Sequence, residues 1–295
     1  MYDTIVIGAG PSGMTTAIYL ARGGMKVLLV ERHYPGGQLL LTNEIENFPG
    51  YATVSGYDLA NNMLDQVTAL GVEVVYDECE VDLDNLSVTV DGVIQKARSI
   101  VLATGATHKN LGIDSEDKFR GRGVSYCATC DGAFYKGKRV AVIGGGNTAL
   151  QDAVYLKKGA SKVHLVHRRE EFRGSSILLD RAKQGGVDMH TPYTVKSIDG
   201  GEAVESITIT HRDTNEDLVI PVDGVFIAVG QTPNTEQYDL EKDAHGYIKT
   251  DENMHTSIPN VWAVGDCRAK SLRQIVTACS DGAIAGESVI EQIGK

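Results

Sequence analysis

Thr4-Ile-Val-Ile-Gly8-Ala-Gly-Pro-Ser-Gly13 reads as a short buried strand that runs straight into a glycine-rich turn. A helix through Met14 to Arg22 is expected next, and then a second strand, Lys26-Val-Leu-Leu-Val-Glu31, that ends on an acid. Together these make a complete βαβ unit. Gly8 permits the tight turn, Gly10 lets backbone N–H groups approach a pyrophosphate, and Gly13 lets helix and strand pack closely. Glu31 stands where a carboxylate accepts hydrogen bonds from a ribose diol. A glycine turn alone binds nothing in most chains; strand, loop, helix and acid in this order mark a dinucleotide site.

The pattern then repeats. Lys138-Arg-Val-Ala-Val-Ile143 is a strand, Gly144-Gly-Gly146-Asn147-Thr148-Ala149 a loop, Thr148 to Lys157 a helix, and Lys162-Val-His-Leu-Val166 the next strand. This strand ends in His167-Arg168-Arg169, with Arg173 close behind, instead of an acid. A carboxylate there would repel a 2′-phosphate, whereas guanidinium groups pair with it. The first site therefore suits FAD and the second NADPH, against the blander reading of a solvated basic turn.

Between the two loops lies Cys127-Ala-Thr-Cys130-Asp131. Two dinucleotide sites and a vicinal dithiol supply an electron relay from nicotinamide through flavin to disulfide. Zinc is the competing use of a Cys-x-x-Cys pair, but it needs four ligands and no second pair is present; no metal is expected. Cys79, Cys267 and Cys279 read as small core residues.

Composition agrees. The chain has 295 residues, 42% of them hydrophobic and 23% charged, as in ordinary globular proteins. A net charge of -11 argues against nucleic acid or an anionic membrane surface as partner. No apolar run is long enough to span a bilayer, and the first strand begins too early for a signal peptide. An odd count of five cysteines does not suit a secreted disulfide framework, so a cytoplasmic location is expected.

Near the C-terminus, Ser257-Ile-Pro-Asn-Val-Trp-Ala-Val-Gly265-Asp266 is an apolar strand ending on an acid that suits the flavin's ribityl or pyrophosphate region. Arg273-Gln274 precede an amphipathic helix, Ile275 to Ile290, whose N-terminus suits the flavin pyrimidine edge. This segment returns to the first domain. The expected architecture is α/β, with two Rossmann-like domains of the three-layer ββα type. Residues 1–112 and 246–295 form an FAD domain, and 113–245 form an inserted NADPH domain carrying the dithiol.

These stretches resemble the low-molecular-weight thioredoxin reductases. Gly36-Gly37-Gln38, Asn47-Phe-Pro-Gly50, Ala103-Thr-Gly-Ala106, Cys127-Ala-Thr-Cys-Asp131, His167-Arg-Arg169 with Phe172-Arg173, Gly230 to Asn234 and Arg273-Gln274 all match in order. The alkyl hydroperoxide reductase flavoproteins are similar but carry an extra N-terminal dithiol domain, and ferredoxin–NADP reductases lack the dithiol. The resemblance adds Gly37, Gln38 and Asn47 to the FAD site. It implies that Cys130 faces the flavin, that Cys127 attacks the disulfide of a thioredoxin, and that Asp131 relays a proton; a helix cap is the simpler role for Asp131. It also implies a homodimer, and an inserted domain that rotates so that nicotinamide and dithiol alternate at one flavin, with Gly112 and Gly246 as hinges. Departures are Gln151-Asp152, where relatives carry Glu-Glu, and Cys279. A flavin-dependent dithiol oxidase, a reductase of another thioredoxin-like protein and a non-catalytic nucleotide-binding module are the alternatives.

Overall fold

The computed structural model describes residues 1–42 and 44–294. The chain divides into two compact units, Met1–Thr107 with Thr232–Lys295, and His108–Gln231.

The first unit begins with β1 (Tyr2–Ile7), α1 (Pro11–Arg22), β2 (Val27–Glu31), α2 (Gly56–Ala69) and β3 (Glu73–Tyr76). A meander of β4 (Cys79–Asp82), β5 (Ser87–Val90) and the long β6 (Val93–Leu102) follows. The sheet order is β3-β2-β1-β6-β5-β4. β6 serves two neighbours in turn: Val93 to Lys96 pair antiparallel with β5, while Ala97 to Leu102 pair parallel with β1. A buried hydrogen bond of 2.9 Å between the hydroxyls of Thr4 and Ser99 joins β1 to β6. Strand residues are buried on both faces, which is why β1 and β2 read as unbroken apolar runs. Val6, Leu29 and Val101 pack toward α1, and Ile5, Ile7, Leu28 and Leu102 pack with Val88 and Val90 of the meander.

The chain leaves through β7 (Ala106–His108) and enters the second unit. There α3 (Asp114–Lys118), β8 (Val124–Ser125), α4 (Ala128–Asp131), β9 (Arg139–Ile143), α5 (Asn147–Leu156), β10 (Lys162–Val166), α6 (Ser176–Gln184) and β11 (Asp188–His190) precede β12 (Tyr193–Asp199), β13 (Ser206–His211), β14 (Asp217–Pro221) and β15 (Gly224–Ile227). The parallel sheet β11-β10-β9-β15-β8 has α5 and α6 against one face and the antiparallel β12-β13-β14 against the other. Each unit is thus helix, parallel sheet and small antiparallel sheet, the expected three-layer ββα arrangement.

The chain returns through β16 (Gln231–Pro233), which pairs with β7, then reaches β17 (Val261–Ala263) beside β6 and ends in α7 (Ile275–Ile293). Of the strand expected over 257–266, only the middle is extended; Gly265–Cys267 forms a 3-10 turn. Helix α7 lies close against α1, because Gly282 and Gly286 carry no side chains; a Cβ on Gly282 would strike the Ser12 carbonyl, and one on Gly286 would sit 2.6 Å from the Tyr19 Cβ.

The chain passes between the two units at residues 107/108 and 231/232. Gly112 and Gly246 have positive φ, 80° and 87°, and each uses it for a turn inside its own unit. The Gly112 N–H donates to Glu116 of α3, and that of Gly246 closes a turn onto the Asp243 carbonyl.

Candidate active site

In the first unit, Gly10 caps α1 with no side-chain acceptor, and Pro11 follows, so the helix N-terminus is bare. Gly8 has φ 103°, and a Cβ on Gly13 would collide with the Gly8 carbonyl oxygen. Glu31 ends β2 with its carboxylate held by two backbone donors, the Ala9 N–H at 2.7 Å and the His33 N–H at 3.0 Å. Four lone-pair sites on a carboxylate leave room for further donors. Gly36 and Gly37 both have positive φ, and the Gln38 amide donates to the Ala106 carbonyl at 2.7 Å. The Asn47 amide donates to the Gln274 side chain at 3.1 Å, and Gln274 in turn caps α7.

Asp266 follows Gly265 in the 3-10 turn, with Oδ1 buried and without a partner. Burial pushes its carboxyl above the ordinary range, against the pull of Lys270 and Arg273. The Arg273 guanidinium lies 4.0 Å from the centre of the Tyr247 ring, and its Nε is a buried donor without a partner. A bare helix terminus, an orphaned carboxylate oxygen and an orphaned guanidinium N–H fit the pyrophosphate and hydroxyls of FAD.

The second unit repeats the arrangement. Gly144 has φ 153°, and Gly146 caps α5 without a side-chain acceptor. The Asn147 side chain accepts from the Ser175 N–H at 2.8 Å, and Thr148 is exposed in the first turn of α5. His167 is buried at the end of β10, stacked on Phe172 with ring centres 5.2 Å apart. Burial keeps its pKa low, and its Nε2 has no partner. Arg168, Arg169 and Arg173 are exposed. Arg169 and Arg173 line a cavity of about 460 Å³ with Phe172, Pro192 and Arg212 and with the acids Glu170, Glu171 and Asp213. Three guanidinium groups there can pair with a 2′-phosphate, while the three acids on the same lining offset part of their charge.

Cys127 and Cys130 are joined as a disulfide with Cα atoms 5.3 Å apart, Cys127 capping α4 and Cys130 lying within it. The Cys130 N–H donates to the Cys127 sulfur at 3.2 Å. Asp131 ends the helix and precedes a 3-10 turn to which its side chain makes no capping hydrogen bond; its Oδ2 accepts from the Ser125 hydroxyl at 2.5 Å. Burial lifts its pKa, partly offset by that hydrogen bond.

The pyridine nucleotide-disulphide oxidoreductase pattern matches residues 2–282. The chain belongs to this family. It is 45% identical to a thioredoxin reductase of Listeria innocua, over 98% of this chain and 92% of that one, and 42% identical to one of Bacillus subtilis, over 98% and 94%. The crystal structure of a thioredoxin reductase from Streptococcus pyogenes superposes with a TM-score of 0.93 at 41% identity, covering 99% of this chain and 97% of that one.

Within the family's frame, several residues stand out that local sequence does not announce. Asp281 of α7 is 4% exposed and accepts from Arg268 Nε and Nη2, both at 2.9 Å, from Lys270 Nζ at 2.8 Å and from the Gly265 N–H at 3.0 Å. Burial alone would raise its pKa, but the bonds from Arg268 and Lys270 outweigh that and hold it low. The network ties α7 to the turn that presents Asp266. Ser125 and Arg212 are the other two; each enters its site from a segment outside the local pattern. Asp152, on α5 behind the second loop, is pushed up to about 7 by burial. Burial also pushes the Cys79 and Cys267 thiols up to about 11 and raises Cys279; Cys267 is buried, whereas Cys79 and Cys279 are half-buried.

Proposed function

We propose that the chain is an FAD-containing, NADPH-dependent thioredoxin-disulfide reductase. The observation that carries this reading is the Cys127–Cys130 disulfide, with the half-buried acid Asp131 next to it, on the same unit as the cavity that Arg169, Arg173 and Arg212 share with three acids. A dithiol oxidase has no use for three guanidinium groups behind a second dinucleotide loop.

FAD, when bound, would supply the electron transfer between NADPH and the disulfide. Gly8, Gly10 and Gly13 open space for its pyrophosphate at the α1 terminus, Glu31 receives ribose hydroxyls, and Asp266 offers its free oxygen to a hydroxyl. Gly37, Gln38, Asn47, Gly265, Arg273 and Gln274 complete that site. Gly144, Gly146, Asn147 and Thr148 admit the second pyrophosphate, and His167, Arg168, Arg169 and Arg173 hold the adenosine phosphate.

Reduction leaves two thiols. The Cys127 thiol gives its proton to solvent, and the thiolate attacks one sulfur of the substrate disulfide, forming a mixed disulfide and expelling the other sulfur, which takes a proton from Asp131; solvent then reprotonates Asp131. Cys130 then attacks the Cys127 sulfur, closing the intramolecular disulfide and releasing the second substrate thiol. Because dithiol and NADPH loop share one unit, rotation of residues 108–231 about the two crossings lets each serve the flavin in turn. The relatives' names support thioredoxin as substrate. A cytoplasmic homodimer completes the reading; among the described residues no helix is long and apolar enough to cross a membrane.

An anaerobic titration of the purified protein with NADPH, with NADH in parallel, tests the donor and the relay. Flavin bleaching by NADPH in preference to NADH, with uptake beyond one equivalent per flavin, supports both. No bleaching by either nucleotide overturns the donor assignment. Retained thioredoxin reduction in Cys130→Ser overturns the dithiol.

A further inference from the structure

We propose that Ser125 is a positioning residue for Asp131, fixing its carboxyl beside Cys130 and setting the pH range over which it donates a proton. The inference rests on the reductase reading and adds a residue to it.

Ser125 is the last residue of β8, the edge strand of the parallel sheet, and is 5% exposed. Its Oγ accepts the Cys127 N–H at 3.1 Å and lies 2.5 Å from Asp131 Oδ2. The Cys127 carbonyl is a competing acceptor for the hydroxyl, but at 3.4 Å. A serine has one proton to give, and a carboxylate at 2.5 Å is a charge-assisted bond that the distant carbonyl cannot match. The Asp131 N–H closes the loop onto the Cys127 carbonyl at 3.1 Å. Backbone of the first cysteine, hydroxyl and acid are therefore one hydrogen-bonded ring.

The ring has a chemical consequence. Burial favours the neutral carboxyl, whereas a donated hydrogen bond favours the ionised one. The Ser125 hydroxyl thus makes Asp131 a readier donor to a departing thiolate than burial alone would allow. Other titratable groups stand on the neighbouring elements. Tyr135, in the 3-10 turn after α4, is pushed up to about 12 by burial, with Asp131 and Asp223 adding to the rise. Lys138 lies over the Tyr135 ring, 5.4 Å from its centre. Asp152 and Tyr155 stand on α5, the helix packed against α4.

Ser125→Ala, Ser125→Thr and Asp131→Asn are compared in the flavin-loaded enzyme, with thioredoxin reduction followed across pH. Flavin absorbance and circular dichroism confirm folding. Activity that needs protonated Asp131 falls as pH rises through its pKa, so loss of the hydroxyl moves that limb to higher pH. The expected result for Ser125→Ala is a limb displaced upward by about one pH unit and a rate about tenfold lower, with NADPH bleaching unchanged and both effects reversed in Ser125→Thr. A Ser125→Ala limb that does not move, with Asp131→Asn slowed, overturns the role of Ser125 alone. Asp131→Asn at full rate overturns the acid assignment itself, and Ser125 with it. A slowed Ser125→Ala enzyme that threonine does not restore reports damage to β8 and also overturns the inference.

Discussion

Arg268 and Asp281 meet through two parallel hydrogen bonds, Nε to Oδ2 and Nη2 to Oδ1, each 2.9 Å long. Lys270 adds a third bond to Oδ2, and its side chain is nearly as buried as that of Asp281. Removing the carboxylate would strand two cations and the Gly265 N–H away from water. Breaking a buried pair from one side costs about 3–5 kcal/mol. Asp281→Asn is expected to lower the melting temperature and the flavin-to-protein ratio together. An unchanged melting curve with flavin lost would show that the network acts on cofactor retention alone.

Gly13→Ala places a methyl group against the Gly8 carbonyl. The backbone must open the loop to admit it, at a cost of about 1–3 kcal/mol from overpacking alone. The expected product is a colourless or weakly coloured protein whose second unit still binds NADPH. Full flavin content by absorbance would exclude the close-packing role of this glycine.

Asp152 gives a pH dependence of defined sign. Its carboxyl titrates near 7 when folded, well above the ordinary value of 3.8. Between those values the folded chain holds more protons than the unfolded one, so this group lowers stability as pH rises from about 4 to about 7. Above that range the penalty is constant. Asp152→Asn is therefore expected to melt like the parent in acid and above it in alkali, a comparison that thermal melts at the two extremes settle.

Arg212 shares its cavity with Arg169 and Arg173 but lies beyond β13, outside the second loop's own pattern. Its loss removes one charge-assisted contact, worth about 1.5 kcal/mol, or roughly tenfold in affinity. Arg212→Ala is expected to weaken NADPH binding by that factor and leave NADH unaffected. Calorimetry with adenosine 2′,5′-bisphosphate and with AMP separates the phosphate effect from a general loss; equal losses for both ligands would rule against a phosphate contact.

The two dinucleotide units were legible because their signals are local. A strand, its glycine turn and the residue that ends the next strand lie within a few dozen positions, and Glu31 and His167 stand where that spacing puts them. The site's supporting residues were not legible for the converse reason. Arg268 and Asp281 are thirteen positions apart in sequence and meet only when α7 packs beside the turn at Gly265–Cys267. Ser125 reaches Asp131 across a strand end and a cap. A glycine with positive φ signals a turn of any kind, and Gly112 and Gly246 make turns within their own units. Gly246→Pro would consequently break a local turn and report on stability, not on rotation.

The close seating of α7 on α1 has a further consequence, for the order in which the molecule is completed. Residues 108–231 are one uninterrupted stretch, so that unit holds all its strands as soon as β15 and the crossing have been made. The other unit begins first and finishes last: α1 waits, one face uncovered, until residues 275–293 emerge. A ribosome-bound chain halted just short of α7 should carry a protease-resistant second unit beside an open first one. The loop that leads the sequence is thus among the last parts of the protein to acquire its final shape.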